Sequence, residues 1–187
     1  IKRVCINDTR IGFIKILKKM GGKITIINKK KYFGEDIGDI FVRSSNLKGV
    51  ECPSKLIVKS IDDLLVIWVA CGLAKGKSYF KDIAELRFKE SDRIKSGSEI
   101  LNKLGIKNHS NNNSLTIYGN PNLKIEKKIT ISSDLDHRKA ITSFIAASVV
   151  GAEILIKNFE TVASSFPNFL NLQKKIIGIK YEIEKNY

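Results

Sequence analysis

The chain has 187 residues, with 33 Lys and Arg against 19 Asp and Glu for a formal charge of +14, and 43% of its residues are hydrophobic. That length fits one domain or two small ones with a proper buried core, while no apolar run reaches the roughly 18 residues that a membrane span requires. Cys5, Cys52 and Cys71 are odd in number and lack metal-ligand spacing, which argues against a disulfide framework and against structural zinc, and suits a cytoplasmic protein.

The chain opens on Ile1 and enters a periodic pattern at once, with no signal or transit pattern, so a processed protein or a fragment is expected. The first segment, DTRIGFIKILKKMGGKITII (Asp8 to Ile27), reads as a helix whose Ile14, Ile16, Leu17 and Met20 face a core, with a strand at Ile24–Ile27. Phe41 and Val42 mark another strand, and the β-branched Ile57–Val58 a third. SIDDLLVIWVACGLAKG (Ser60 to Gly76) is a helix entered through an acidic turn, buried along Leu64 to Ala74, with Cys71 a reduced interior thiol. KSYFKD follows as a strand. The second segment, SDRIKSGSEILNKLGIKNHS (Ser91 to Ser110), repeats the first, with Ile94, Ile100, Leu101 and Leu104 inward. NHSNNNS (Asn108 to Ser114) is a hairpin turn or loop, followed by SLTIYG, and Ile129–Ile131 is β-prone. SDLDHRKAITSFIAASVVGA (Ser133 to Ala152) is again a helix behind an acidic turn, with EILIKNF as its strand. The third segment, SFPNFLNLQKKIIGIKYEIE (Ser165 to Glu184), is a helix and a β-prone stretch. Gly21, Gly105 and Gly178 stand at equivalent helix exits. The order helix–strand–strand–helix–strand thus recurs, as in stacked α/β units around a common core.

The charge invites a polyanion partner, but it is spread over lysines throughout the chain. Arginine is scarce, at positions 3, 10, 43, 87, 93 and 138, and marks where a planar, permanently charged donor matters. RFKESDRI (Arg87 to Ile94) places five ionisable groups in eight residues. With Ser91 or Asp92 capping a helix, Lys89 and Arg93 converge on its amino terminus, where unpaired N–H groups favour an anion, and Glu90 is an acid beside them. An ion-pair-laced surface helix is the competing reading. DLDHRKA (Asp134 to Ala140) has the same form: Ser133 or Asp134 caps, Asp136 suits the positive first turn, and Arg138 projects a forked donor. His137 is one of two histidines, in a polar setting with no metal quartet. The IDD at Ile61–Asp63 fits a helix cap. No phosphate-binding loop, dinucleotide turn or nucleophile elbow is present, and the aromatics do not interleave with a basic stripe.

LR followed by KESDRI, DHRKA after a strand, SSFPNF near the end, the opening NDTRIGFIKILKKMGGKI and SIDDLLVIWVACGLAKG together resemble the 3-phosphoshikimate 1-carboxyvinyltransferase (EPSP synthase) family across nearly the whole chain. The resemblance implies an α+β fold of repeated βαβαββ units forming one domain of the enolpyruvyl transferase α/β prism, an inside-out barrel. Residues 1–187 would be a single domain, the carboxyl-terminal half of a two-domain enzyme whose amino-terminal domain is absent. It implies transfer of the enolpyruvyl group of phosphoenolpyruvate to the 5-hydroxyl of shikimate 3-phosphate with release of phosphate, without cofactor or metal, by a full-length monomer that engages neither nucleic acid nor membrane. The fragment alone is expected to be inactive. Residue by residue, Asp62 matches the family's catalytic aspartate, Glu90 the acid that protonates the methylene carbon, and Lys89 a lysine at the reacting centre. Arg93 and Arg138 match the arginines that hold phosphoenolpyruvate, flanked in the second case by Asp136 and His137. Ser164 stands where many members have Lys, and Leu64 and Leu65 where the family often has Pro. The alternatives are a transferase resembling UDP-N-acetylglucosamine enolpyruvyl transferase, and a basic domain that binds RNA or another polyanion.

Overall fold

A computed structural model describes residues 1–125, 128–178 and 181–182. In chain order the elements are β1 (Val4–Cys5), α1 (Gly12–Lys19), β2 (Lys23–Tyr32), β3 (Glu35–Arg43), α2 (Ser54–Val58), α3 (Leu64–Gly72) and β4 (Gly76–Lys81). After a 3₁₀ turn (Ala84–Phe88) come α4 (Arg93–Lys103), β5 (Asn108–Ser110), β6 (Ser114–Gly119), β7 (Ile129–Ser132), α5 (His137–Val150) and β8 (Ile154–Lys157). A second 3₁₀ turn (Phe159–Ser164) leads to α6 (Phe169–Ile177).

The expected recurrence is present: α1–β2–β3 runs through α3 to β4, and α4–β5–β6 runs through α5 to β8. Pairing follows it. The first sheet has the order β1-β3-β2 and the second β4-β6-β5, both antiparallel, while β7 and β8 pair in parallel across α5. Gly21, Gly105 and Gly178 all have positive φ (93°, 78° and 63°), the helix-exit conformation that glycine adopts without a Cβ clash.

The inside-out barrel is not found. Among the described residues the strands form three separate sheets of three, three and two strands, and no ring closes. The ladders stay within each sheet, and β4, which closes the first repeat, pairs with β6 of the second. The architecture is a mixed α/β one.

Other expectations are corrected locally. Ile57–Val58 is not a strand but the end of α2, which starts after Pro53; Leu56 and Ile57 are buried and Val58 is exposed. The acidic turn before α3 is as expected, but the helix itself is shorter than the Ser60–Gly76 segment, running over Leu64–Gly72. The β-prone stretch expected after Gly178 falls largely outside the described residues; Tyr181 and Glu182 carry no strand.

The core is organised on α3, whose Leu64, Leu65, Ile67, Trp68, Val69 and Cys71 are all buried. A helix apolar on all sides belongs in the middle of a domain, and α3 packs on both α4 and α5. Gly97 makes the α3–α4 approach possible: a Cβ there would lie 2.3 Å from the Trp68 ring. A smaller cluster around Ile14, Ile24 and Ile40 lies under the first sheet, and Phe144, Val162 and Phe169 join α5 to the carboxyl-terminal segment. The amino termini of α4 and α5 and the turn before α3 come together through the side chains described next.

Candidate active site

Arg93 is the first residue of α4, and its side chain is only 1% exposed. The helix starts there because Asp92 is extended and its carboxylate accepts the Lys95 amide at 3.0 Å. Every nitrogen of the guanidinium meets a different carboxylate. Nε donates to Asp136 at 3.1 Å, Nη1 to Asp62 at 3.3 Å and Nη2 to Glu90 at 2.5 Å. Three acids from three distant stretches converge on one arginine, so this is not a wet surface helix: a buried guanidinium of this kind stands only when its charge is met on all sides.

Asp136 is fully buried and caps α5, accepting the amides of Arg138 at 2.8 Å and Lys139 at 3.4 Å. The cap is therefore Asp136 itself, not Ser133 or Asp134; those two residues shape the turn ahead of it. Its other oxygen accepts from Arg93 and, at 2.8 Å, from the Ser91 hydroxyl. Burial pushes the Asp136 carboxyl up, but the Ser91 hydroxyl, the Arg93 charge and the Arg138 amide outweigh it and hold it below the ordinary range.

Arg138 is about a third exposed (32%). Its Nη1 donates to the Asp62 carbonyl at 2.8 Å, and its Nη2 lies 3.6 Å from the Asp62 carboxylate. Arg10 reaches the same carboxylate from the first repeat, at 3.9 Å. Neighbouring Asp63 is pushed up by burial, against the pull of Arg138.

Asp62, Glu90, Arg93, Asp136 and Arg138 are thus brought together. His137, the first residue of α5, is half-buried beside them in sequence. Two expected residues are not joined to the cluster. Lys89 is extended, outside α4, and pairs with Glu85 at 3.1 Å, so it does not share a helix face with Arg93. Ser164 is exposed, and its hydroxyl donates to Thr161 O at 2.8 Å, within its own turn. Arg87 braces the loop: it donates to the carbonyls of Asn111 and Asn112 and pairs with Asp92 at 2.5 Å. Sequence reasoning gave no site role to Arg10, Ser91 or Lys139. Only the scarcity of arginine could have singled out the first of these.

Chemically, the cluster offers fixed guanidinium donors, two carboxylates within reach of solvent (Asp62 and Glu90) and a buried one that orients them. This suits binding a small multiply charged anion and moving a proton beside it. No group of three or more His, Cys, Asp or Glu suited to a metal ion occurs among the described residues. No helix among them is long and apolar enough to cross a membrane.

The family model for EPSP synthase (3-phosphoshikimate 1-carboxyvinyltransferase) matches residues 1–172. A curated 3-phosphoshikimate 1-carboxyvinyltransferase of Petrotoga mobilis is 43% identical over 179 residues, covering 96% of this chain and 41% of the relative. One from Geotalea uraniireducens is 38% identical over 177 residues, covering 95% of this chain and 41% of the relative. Among solved structures, the EPSP synthase of Acinetobacter baumannii superposes with a TM-score of 0.85 at 32% identity, over 99% of this chain and 42% of that one. The chain therefore spans about two fifths of the length of the relatives it matches. With that match over most of its length, the chain belongs to the EPSP synthase family.

Proposed function

We propose that residues 1–187 form the carboxyl-terminal half of a two-domain enolpyruvyl transferase and supply the acid and the anion ligands of its reaction. In that reaction the 5-hydroxyl oxygen of shikimate 3-phosphate bonds to C2 of phosphoenolpyruvate while C3 takes up a proton, giving a tetrahedral intermediate. The intermediate loses a C3 proton and phosphate and leaves the enolpyruvyl ether. The observation that carries this reading is the convergence of Asp62, Glu90 and Asp136 on Arg93, with Arg138 alongside. Arg138, partly exposed, receives the phosphoenolpyruvate anion first. Glu90, half exposed at the rim, is the proton donor to C3. A protonated Glu90 no longer neutralises Arg93, so loading the acid frees Nη2 for the anion, and the two events are coupled. Asp62 faces the 5-hydroxyl and takes its proton, Asp136 fixes Arg93 and the start of α5, and His137 borders the bound anion. Lys89, 26% exposed, reaches the reacting centre by leaving Glu85 when substrate binds. Ser164 offers a hydroxyl where a cation is common, and contributes less to holding phosphate.

The remaining contacts to shikimate 3-phosphate belong to an amino-terminal half. The test supplies that half separately and assays phosphate release and ether formation. Restored turnover that falls by about 10²-fold or more in Glu90→Gln and in Arg138→Ala supports the reading. Restored turnover unaffected by both changes, or salt-sensitive RNA binding by the chain with no response to phosphoenolpyruvate, overturns it.

A further inference from the structure

Lys139 is a fully buried lysine next to the candidate site, with no part in the chemistry proposed for it. Its side chain is 0% exposed, and its ammonium lies 2.7 Å from Glu99 of α4 and 2.5 Å from Asp134 in the β7–α5 turn. A buried ammonium carries a large desolvation cost, and a helix position facing a core is more cheaply filled by an apolar side chain. The turn it holds is itself strained. Asp134 and Leu135 are consecutive non-glycine residues in the left-handed region, at φ 51° and 60°. Such conformations persist only where surrounding bonds over-determine them, and they gather at functional sites. Here the bonds are visible: Ser132 and Ser133 hydroxyls accept the amides of Asp134 and Leu135, Thr161 donates to the Leu135 carbonyl, and Lys139 holds the Asp134 carboxylate. The Lys139 charge also keeps that carboxyl below its ordinary range. The strained pair leads directly into Asp136, His137 and Arg138.

We infer that Lys139 is a positioning residue: clamped between Glu99 and Asp134, it keeps the Asp134–Leu135 turn left-handed and so aims Arg138 at Asp62. With Arg93–Asp136 on one side and Lys139–Glu99 on the other, α4 and the start of α5 are tied by two buried cations. Only the ligand arm of the test rests on the function proposed above.

The test compares Lys139→Met, of similar length and without charge, with Glu99→Gln, which loosens one side of the clamp, and with Lys139→Met combined with Leu135→Gly. Leu135 is 69% exposed, so glycine removes the strain there while sacrificing little packing. The readouts are thermal melting, hydrogen exchange of the Arg138 guanidinium followed by heteronuclear NMR, and titration with phosphoenolpyruvate. Lys139→Met is expected to speed exchange at Arg138 and to weaken phosphoenolpyruvate roughly tenfold, the scale of one charge-assisted contact. Glu99→Gln falls between it and the unmodified chain, and Leu135→Gly restores both readouts in the Lys139→Met background. Unchanged Arg138 exchange in Lys139→Met overturns the inference, as does a failure of glycine to rescue it. If Lys139→Met does not fold, Glu99→Gln decides by the same exchange readout. If phosphoenolpyruvate leaves Arg138 unmoved in the unmodified chain, the functional reading fails, while the exchange data still decide the role of Lys139.

Discussion

Arg93 carries one charge and answers three carboxylates drawn from positions 62, 90 and 136. Removing a charge from such a buried set leaves another uncompensated, so Asp136→Asn is expected to destabilise the chain by about 3 kcal/mol, read from urea midpoints. The same variant tests the titration. The Asp136 carboxyl is held below its unfolded value, so its contribution is complete above the ordinary aspartate range and is lost as pH falls from about 4 through the lowered folded value. The stability–pH curve should therefore lose part of its acid limb in Asp136→Asn. Cys52 and Cys71 are buried and pushed up to about 12, whereas Cys5 is exposed. A thiol reagent at pH 8 should label Cys5 promptly and the other two only on unfolding, counted by mass spectrometry. At this scale the sequence was informative where a residue type was rare: Arg93 and Arg138 stood out among six arginines in a lysine-rich chain. It was silent on Lys139 and on the pairing of Lys89 with Glu85. Their partners are respectively forty residues away on another helix and four residues back in a turn, and one more lysine in such a chain carries no signal.

The helices α3 and α4 meet at a point with no room for a methyl group, because Gly97 faces the ring of the chain's single tryptophan. Gly97→Ala gains helix propensity but must push Trp68 aside, and a net loss of about 1–3 kcal/mol is expected. Tryptophan fluorescence should shift in the folded state, and a raised urea midpoint would show that the interface yields without strain. The helical segments were readable from their apolar spacing, and the exits from their glycines. The boundaries and the α2 segment were not. Ile57–Val58 has strand composition, yet Pro53 sets up a helix start and Leu56 and Ile57 face the core, so packing prevails over β-propensity. The capping of α5 by Asp136, rather than by either residue of Ser133–Asp134, is a tertiary choice as well, since the same carboxylate must also reach Arg93.

For the molecule as a whole, periodicity disclosed the repeats but not how their strands pair, because register within a sheet leaves no mark on the spacing of apolar residues along a helix. Among the described residues three separate sheets stand where the family resemblance implied an inside-out barrel. The proposed two-part site makes a further prediction. Phe88, 85% exposed, lies two residues before Glu90 and presents its ring to solvent. Phe88→Ser should leave the melting temperature of the chain within a degree or two yet weaken its association with a supplied amino-terminal half, measured by calorimetric titration. The ion-paired cluster has one more consequence. Arg10, Arg93 and Arg138 are each met by carboxylates among Asp62, Glu90 and Asp136, so the arginine charges of the site are largely compensated inside a chain of formal charge +14. The field that draws an anion from solution therefore comes from the lysines spread over the surface, and the grip that holds it comes from a few guanidinium groups that carry little net field. Added salt screens the first and hardly touches the second. Rising ionic strength should slow the capture of phosphoenolpyruvate while leaving its escape rate nearly constant, a separation that stopped-flow kinetics can resolve.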